Sequence, residues 1–276
     1  ASWNSATTCW KTCCGGPMRR ERIAGLVWGL ATMAVLLLLL EAVVEAGWVK
    51  RALLPPPSAV GLVLWDLLVA GAIFPPLAET LARLAQGFAI GGVLAVLVGL
   101  AMGHFPALHD LLEPLVELVR PLPKSALVPV LILFLGLGEP MKVTSVALAV
   151  FFPVLVATIQ GVRGVDPVLL DAARTFGHSN LRILFRIVLP AALPFVLAGA
   201  RISLGLGLVL ATLSEMLAGT GGVGFLILDM QRSFRVRQMY AWIVILAVVG
   251  LLLNSLFLAL ESLLLRWQHG AAEAAR

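Results

Sequence analysis

The residues from Ile23 to Leu40 contain no charged side chain. Comparable uncharged runs return at Leu84 to Gly103, Ser125 to Gly138, Val143 to Val162 and Ala241 to Leu260, and Ala191 to Leu217 carries only Arg201 and Glu215. About 20 apolar residues in a helix cross the hydrocarbon core of a bilayer. Lipid offers no partner for unpaired backbone groups, so uninterrupted runs of this length are read as helices. The pattern predicts an all-α polytopic membrane protein with about six transmembrane helices. Composition agrees, since 60% of residues are apolar and 13% are charged, where a soluble domain has about 25% charged residues. Such spans and their loops use up the 276 residues and leave no room for a separate soluble catalytic domain.

Residues 1–17 differ from the rest, holding Cys9, Cys13 and Cys14, all three of the cysteines. They read as a disordered extension ahead of the membrane-protein start Met18-Arg19-Arg20-Glu21-Arg22. The cysteines have no histidine or second cysteine pair to complete a tetrahedral zinc site. The scattered histidines show no metal spacing either, and no metal site is expected. Residues 18–50 form the first transmembrane helix. Residues 51–78 form a loop outside the membrane, with prolines 55–57 and a short interfacial helix from Gly61 to Phe74 that ends at Pro75-Pro76. Residues 79–266 form the membrane core, and 267–276 a cytoplasmic tail.

Within the core, Gly87-x3-Gly91 and Gly99-x3-Gly103 predict close approach of a second helix backbone. Arg120-Pro121-Leu122-Pro123 predicts a bend between a polar helix and the third span, and Gly138-Glu139-Pro140 a tight turn before the fourth. An even number of spans puts both termini on one side. Lys11, Arg19, Arg20, Arg22, Arg163, Arg174, Arg182, Arg186, Arg266 and Arg276 then lie inside, against the smaller set Lys50, Arg51, Lys142, Arg232, Arg235 and Arg237 outside. This bias favours cytoplasmic termini. It also accounts for the net charge of +5 without a nucleic-acid partner, because the basic residues form no continuous face.

The segment 163–190, between the fourth and fifth spans, is the long polar stretch of the second half. Asp166 suits a helix N-cap, Pro167 the first helical position and Gly177 a left-handed C-terminus. Ser179 suits the cap of a second helix, Asn180 to Leu189, stopped by Pro190. The result is two short helices on the cytoplasmic side. They are either a solvated basic loop or a docking element, with the small Ala172 and Ala173 admitting a foreign surface.

Asp171, Ala172, Ala173, Gly177, Ile187, Leu189 and Pro190, taken with this position between two spans, resemble the EAA loop of bacterial ATP-binding-cassette importer permeases. Asp171 stands where that family usually has glutamate. Leu54 to Val60, Arg120 to Pro123, Gly161 to Pro167, Leu189 to Pro194 and Ser214 to Leu217 are similar to the branch that imports nitrate, taurine and aliphatic sulfonates. The common Trp-Phe-Gly of that branch is replaced by Phe134-Leu135-Gly136. The resemblance implies a type I importer permease with a cytoplasmic coupling-helix loop, in the bacterial inner membrane. Implied partners are a second copy of the permease, ATPase subunits, a periplasmic or lipid-anchored substrate-binding protein and membrane lipid. Asp171, Ala172, Ala173, Arg174, Gly177, Ile187, Leu189 and Pro190 would dock the ATPase. No lysine follows a glycine, so a Walker A phosphate loop is absent. The chain is therefore expected to bind no cofactor and not to be an enzyme, with ATP and Mg held by the partner ATPase.

Charges within spans cost roughly 2.5–3.5 kcal/mol on insertion scales, so they face partners, water or the interface. Arg201, Glu215 and Gln86 are the candidates for the translocation pathway, with ion pairing, snorkelling or interhelical hydrogen bonding as the alternatives. The cargo expected from the resemblance is a small anion such as a sulfonate, taurine or nitrate. A vitamin or its precursor, riboflavin or a pyrimidine, is the alternative cargo. A stand-alone secondary carrier would need an inverted repeat, and none is visible.

Overall fold

The computed structural model describes residues 18–219 and 221–265, so the expected extension 1–17 and tail 267–276 lie outside the described residues. Every regular element among the described residues is helical. The chain divides between Leu62 and Val63 into two compact units.

In the first unit, α1 (Met18–Glu45) carries the predicted first span on one continuous helix, and the side chains of Leu36 to Leu40 are exposed. The Glu41 carboxylate accepts hydrogen bonds from the backbone N–H and the hydroxyl of Ser58, at 3.0 and 2.5 Å. Those bonds fix the return of the proline-rich connection. Helix α2 (Pro57–Val69) follows; at 13 residues it spans roughly 20 Å, too short to cross the hydrocarbon core.

The second unit is built on α3 (Phe74–His104), which begins ten residues before the expected Leu84. Pro75 and Pro76 do not close the preceding helix; they occupy the first turn of α3, where a proline needs no amide hydrogen. The interruption comes at Gly71, whose φ of 66° breaks the helical course. Helix α4 (Pro106–Val119) lays Leu108, Leu112 and Val116 against the core at helical spacing. The expected bend follows. A short 3-10 turn (Lys124–Leu127) and α5 (Val128–Leu135) leave α4 at 88°.

Helix α6 (Glu139–Arg163) starts at the expected tight turn, with Pro140 in its first turn. It runs parallel to α3, since Gly87 meets Val146, Gly91 meets Ala147, Gly99 meets Thr158 and Gly103 meets Val162. Ala95, fully buried, completes a seam of small residues every fourth position. A Cβ on Gly91 would overlap the Ala147 carbonyl oxygen, a backbone atom that cannot move aside. Helix α7 (Pro167–Thr175) and α8 (Asn180–Ile183) form the connecting loop.

Helix α9 (Leu189–Ala218) returns antiparallel, bringing Gly199 against Ala157 and Gly207 against Val150. Here the expected stop at Pro190 is corrected. A π-helical turn, Leu184–Val188, carries the chain from α8 directly into α9, with Pro190 in the first turn of α9. Proline removes an N–H and crowds the carbonyl four residues back, and a widened turn accommodates both. The chain then passes through α10 (Val223–Arg232) to α11 (Val236–Leu264).

Among the described residues, four stretches are long and apolar enough to cross a membrane: α3, α6, residues 180–218 and α11; the bent pair makes a fifth. Their outward faces are apolar, with Ile90, Leu94, Leu97, Val209, Leu251 and Leu256 all exposed. Such a belt is incompatible with water and suited to lipid.

Candidate functional site

The connecting loop lies at one end of the bundle and a buried ionic cluster at the other. At 1.5 Å per residue, the 25 residues of α6 separate them by roughly 37 Å, enough to span the hydrocarbon core.

At the loop, Asp166 accepts the Val168 N–H at 2.8 Å, as an N-cap should. Gly177 takes φ of 76°, the left-handed conformation expected after α7. Ser179 occupies the cap position of α8 without a side-chain hydrogen bond. The loop is anchored from beneath, where Val165, Ala173, Ile183, Leu184 and Val188 form a core with Leu100, Val162 and Ala192. The structure therefore turns the eight candidate docking residues two ways. Asp171, Ala172, Arg174 and Gly177 are exposed, and Asp171 pairs with Arg174 at 3.0 Å. Ala173 is buried, and Ile187, Leu189 and Pro190 are half-buried. Ala173, Ile187 and Leu189 pack in that core and hold the loop to its own bundle. Sequence reasoning missed the apolar surface beside the exposed set: Val168, Phe176, Leu181 and Phe185 are each at least 60% exposed. Phe176 and Phe185 are aromatic side chains in a polar segment, a signal that was available.

At the opposite end, Arg83 on α3 is 5% exposed and uses all five of its N–H donors. Two bonds of 2.7 Å hold the Glu139 carboxylate side-on, and one of 2.7 Å reaches Glu215. The others go to Glu79 at 3.1 Å and the Gly221 carbonyl at 3.2 Å. Lys142 adds a 3.0 Å contact to Glu139. Glu215 has no exposure and accepts also from the Thr80 hydroxyl and, at 2.9 Å, from the Gly224 N–H. Thr80 in turn accepts the Val223 N–H at 3.0 Å. Residues of α3 and α9 thus cap the N-terminus of α10, where a carboxylate is favoured by the exposed N–H groups. Gly222 makes this possible, since a Cβ there would overlap the Glu215 carboxylate.

Lys142 is correspondingly not an exposed loop cation but a fully buried member of this cluster. Arg83 was missed because Glu79, four residues earlier, makes it read as half of a local ion pair at the start of α3.

The three candidate pathway residues are not brought together. Glu215 is engaged in the cluster, and Gln86 is exposed on α3. Arg201 donates to Asn254 at 3.3 Å beside a cavity of about 300 Å³ lined also by Gly205 and Gly250. A larger cavity, about 520 Å³, lies between the α4–α5 bend, α6 and α9 and includes Arg120, Lys124, Phe152 and Gln160. Among the described residues, no group of three or more His, Cys, Asp or Glu is arranged to hold a metal ion.

The comparisons with known proteins assign a family to this helical bundle and its anchored loop. Residues 91–268 match the family described as binding-protein-dependent transport system inner membrane component, and the chain belongs to that family. It is 33% identical over 245 residues to the aliphatic sulfonates transport permease protein SsuC of Bacillus subtilis, covering 89% of each chain. It is 32% identical to the taurine transport system permease protein TauC of Escherichia coli, covering 88% of this chain and 90% of that one. The nitrate import permease protein NrtB of Synechocystis is 29% identical over 67% of each chain. A chain from the inward-facing MetNI methionine ABC transporter shares the fold, with a TM-score of 0.59 at 18% identity, covering 68% of this chain and 94% of that one. The chain is thus a multi-pass permease subunit of an ABC importer.

Proposed function

We propose that this permease imports a small anion, a sulfonate, taurine or nitrate, across the bacterial inner membrane with ATP hydrolysed on a separate subunit. The observation that carries the reading is the loop: a rigid platform, fastened from beneath, that leaves Val168, Phe176, Leu181 and Phe185 uncovered in a polar segment. In this reading two copies of the chain pair in the membrane. Each lays α7 and α8 into a groove of an ATPase subunit, and the exposed aromatics supply the apolar contact. Asp171, Ala172, Arg174 and Gly177 shape the docking face, while Ala173, Ile187 and Leu189 keep it in place. Closure of the ATPase pair on ATP and Mg then rocks the bundle between inward- and outward-facing states. This chain binds no cofactor of its own. Both termini and the loop face the cytoplasm, and the ionic cluster faces the substrate-binding protein outside.

The names of the relatives support the anion cargo over a vitamin precursor, since sulfonate, taurine and nitrate permeases match over two thirds or more of this chain. The test is co-expression with the ATPase of the same transport system. The tagged permease is expected to retain the ATPase through detergent extraction and size exclusion at one ATPase per permease. Purification of the permease alone, at normal yield, would contradict the docking role.

A further inference from the structure

The Arg120-Pro121-Leu122-Pro123 segment has a structural consequence that docking does not use. Its prolines turn the chain by 88°, and the turn places Arg120 and Lys124 in the wall of the 520 Å³ cavity. That volume is in the range of small-molecule sites. The residues lining the cavity include two cations and no carboxylate. Lys124 lies 4.2 Å from the ring centroid of Phe152, which also lines the cavity. Its ammonium donates to the carbonyls of Val119 at 2.6 Å and Arg120 at 3.1 Å. Three donors belong to an ammonium, and the one not given to a carbonyl is shared with the face of the Phe152 ring, a weak partner that an anion can displace. Neither carbonyl carries a compensating full charge. Arg120 is held on one side by Glu117 at 3.3 Å, which leaves further N–H donors of its guanidinium to face the cavity.

A second cavity, of about 450 Å³, shares Arg120, Val156 and Gln160 with the first and continues to Arg163 at the loop end of α6. Its carboxylates, Glu113 and Glu117, line this second cavity and not the first. The polar route thus runs from an open cationic cleft between the α4–α5 bend, α6 and α9 to the loop end.

The geometry points to Arg120, Lys124 and Gln160 as a binding site for the anionic head group of the transported solute, in the half of the bundle next to the loop. Lys124 supplies the charge, Arg120 directional donors and Gln160 a neutral amide at the way out. The apolar remainder of the cleft, including Phe152, Phe195 and Ile202, accepts a short carbon chain. The site rests on the anion-import reading and specifies where in the permease the anion is held.

The test uses the purified permease–ATPase complex without its binding protein, with radiolabelled taurine, ethanesulfonate and nitrate as probes in a scintillation proximity assay. Saturable binding of at least one probe is expected in the wild-type complex. Lys124→Gln and Arg120→Gln should each weaken it tenfold or more, Lys124→Arg should recover at least half of the loss, and reconstituted uptake should fall in parallel. Retention of the ATPase by each variant reports that the complex has folded and assembled. Equal binding and uptake in wild type and both Gln variants, or no binding of any probe by wild type, would overturn the site. Failure of the wild-type permease to retain an ATPase at all would instead reject the importer reading beneath it.

Discussion

Replacing Arg83 by methionine is expected to remove most folded protein from the membrane. Methionine matches the aliphatic stem but none of the five donated bonds, and it leaves the wholly buried Glu215 carboxylate without its cation. Removing one partner of a buried ion pair costs about 3–5 kcal/mol. A folded domain has a total stability of only about 5–15 kcal/mol. The loss is spread over four elements, because Arg83 and Glu215 join α3, α6, α9 and the start of α10. The double variant Arg83→Met with Glu215→Gln eliminates the stranded charge and keeps hydrogen-bonding groups for Thr80 and Gly224. It should therefore recover part of the loss. Size exclusion and thermal unfolding of detergent-extracted protein distinguish these results. A single variant as stable as wild type would show that the cluster contributes little.

The second large effect is expected at the loop and is of the opposite kind, with function lost and folding kept. Gly177 holds φ of 76°, with open space around it. A valine there meets no neighbour, but its branched Cβ opposes the left-handed conformation at a cost on the order of 1–2 kcal/mol. Relief comes by moving the end of α7, which displaces Phe176 and the exposed face of the loop. Phe176→Asp tests the same surface without backbone strain, since that side chain is 81% exposed. Both variants should accumulate normally while ATPase retention and ATP-driven uptake fall at least tenfold. Wild-type uptake in both would separate the loop from energy coupling.

The contrast between these two regions explains what could be read from the chain. The cap at Asp166, the left-handed turn at Gly177 and the bend at Pro121 and Pro123 depend on neighbours a few residues away. Their geometry is written locally, and it appears as expected. The spans were legible for the same reason, because lipid imposes one length and one secondary structure. Their ends were less so. Prolines at 75, 76 and 190 stand for helix starts as readily as for helix stops, and tertiary packing of the flanking residues decides.

The ionic cluster depends on pairs far apart in the chain, with Arg83 reaching Glu215 across 132 positions. No local pattern states that these two meet. Glu215 was visible as an anomaly, but its partner required the antiparallel packing of α9 against α3, which places Glu215 and Arg83 at the same end. The cationic cleft is hidden likewise, since Arg120 and Lys124 occur in an ordinary polar stretch and become a wall only through the 88° bend.

The most direct measurement is uptake of radiolabelled taurine, ethanesulfonate and nitrate into liposomes containing the permease with or without its ATPase. The binding protein is added outside and ATP enclosed within. At least one anion should accumulate, and only when ATPase, ATP and binding protein are all present. Flux of the same anion through the permease alone, independent of ATP, would contradict the account and mark the chain as a carrier that needs no partner.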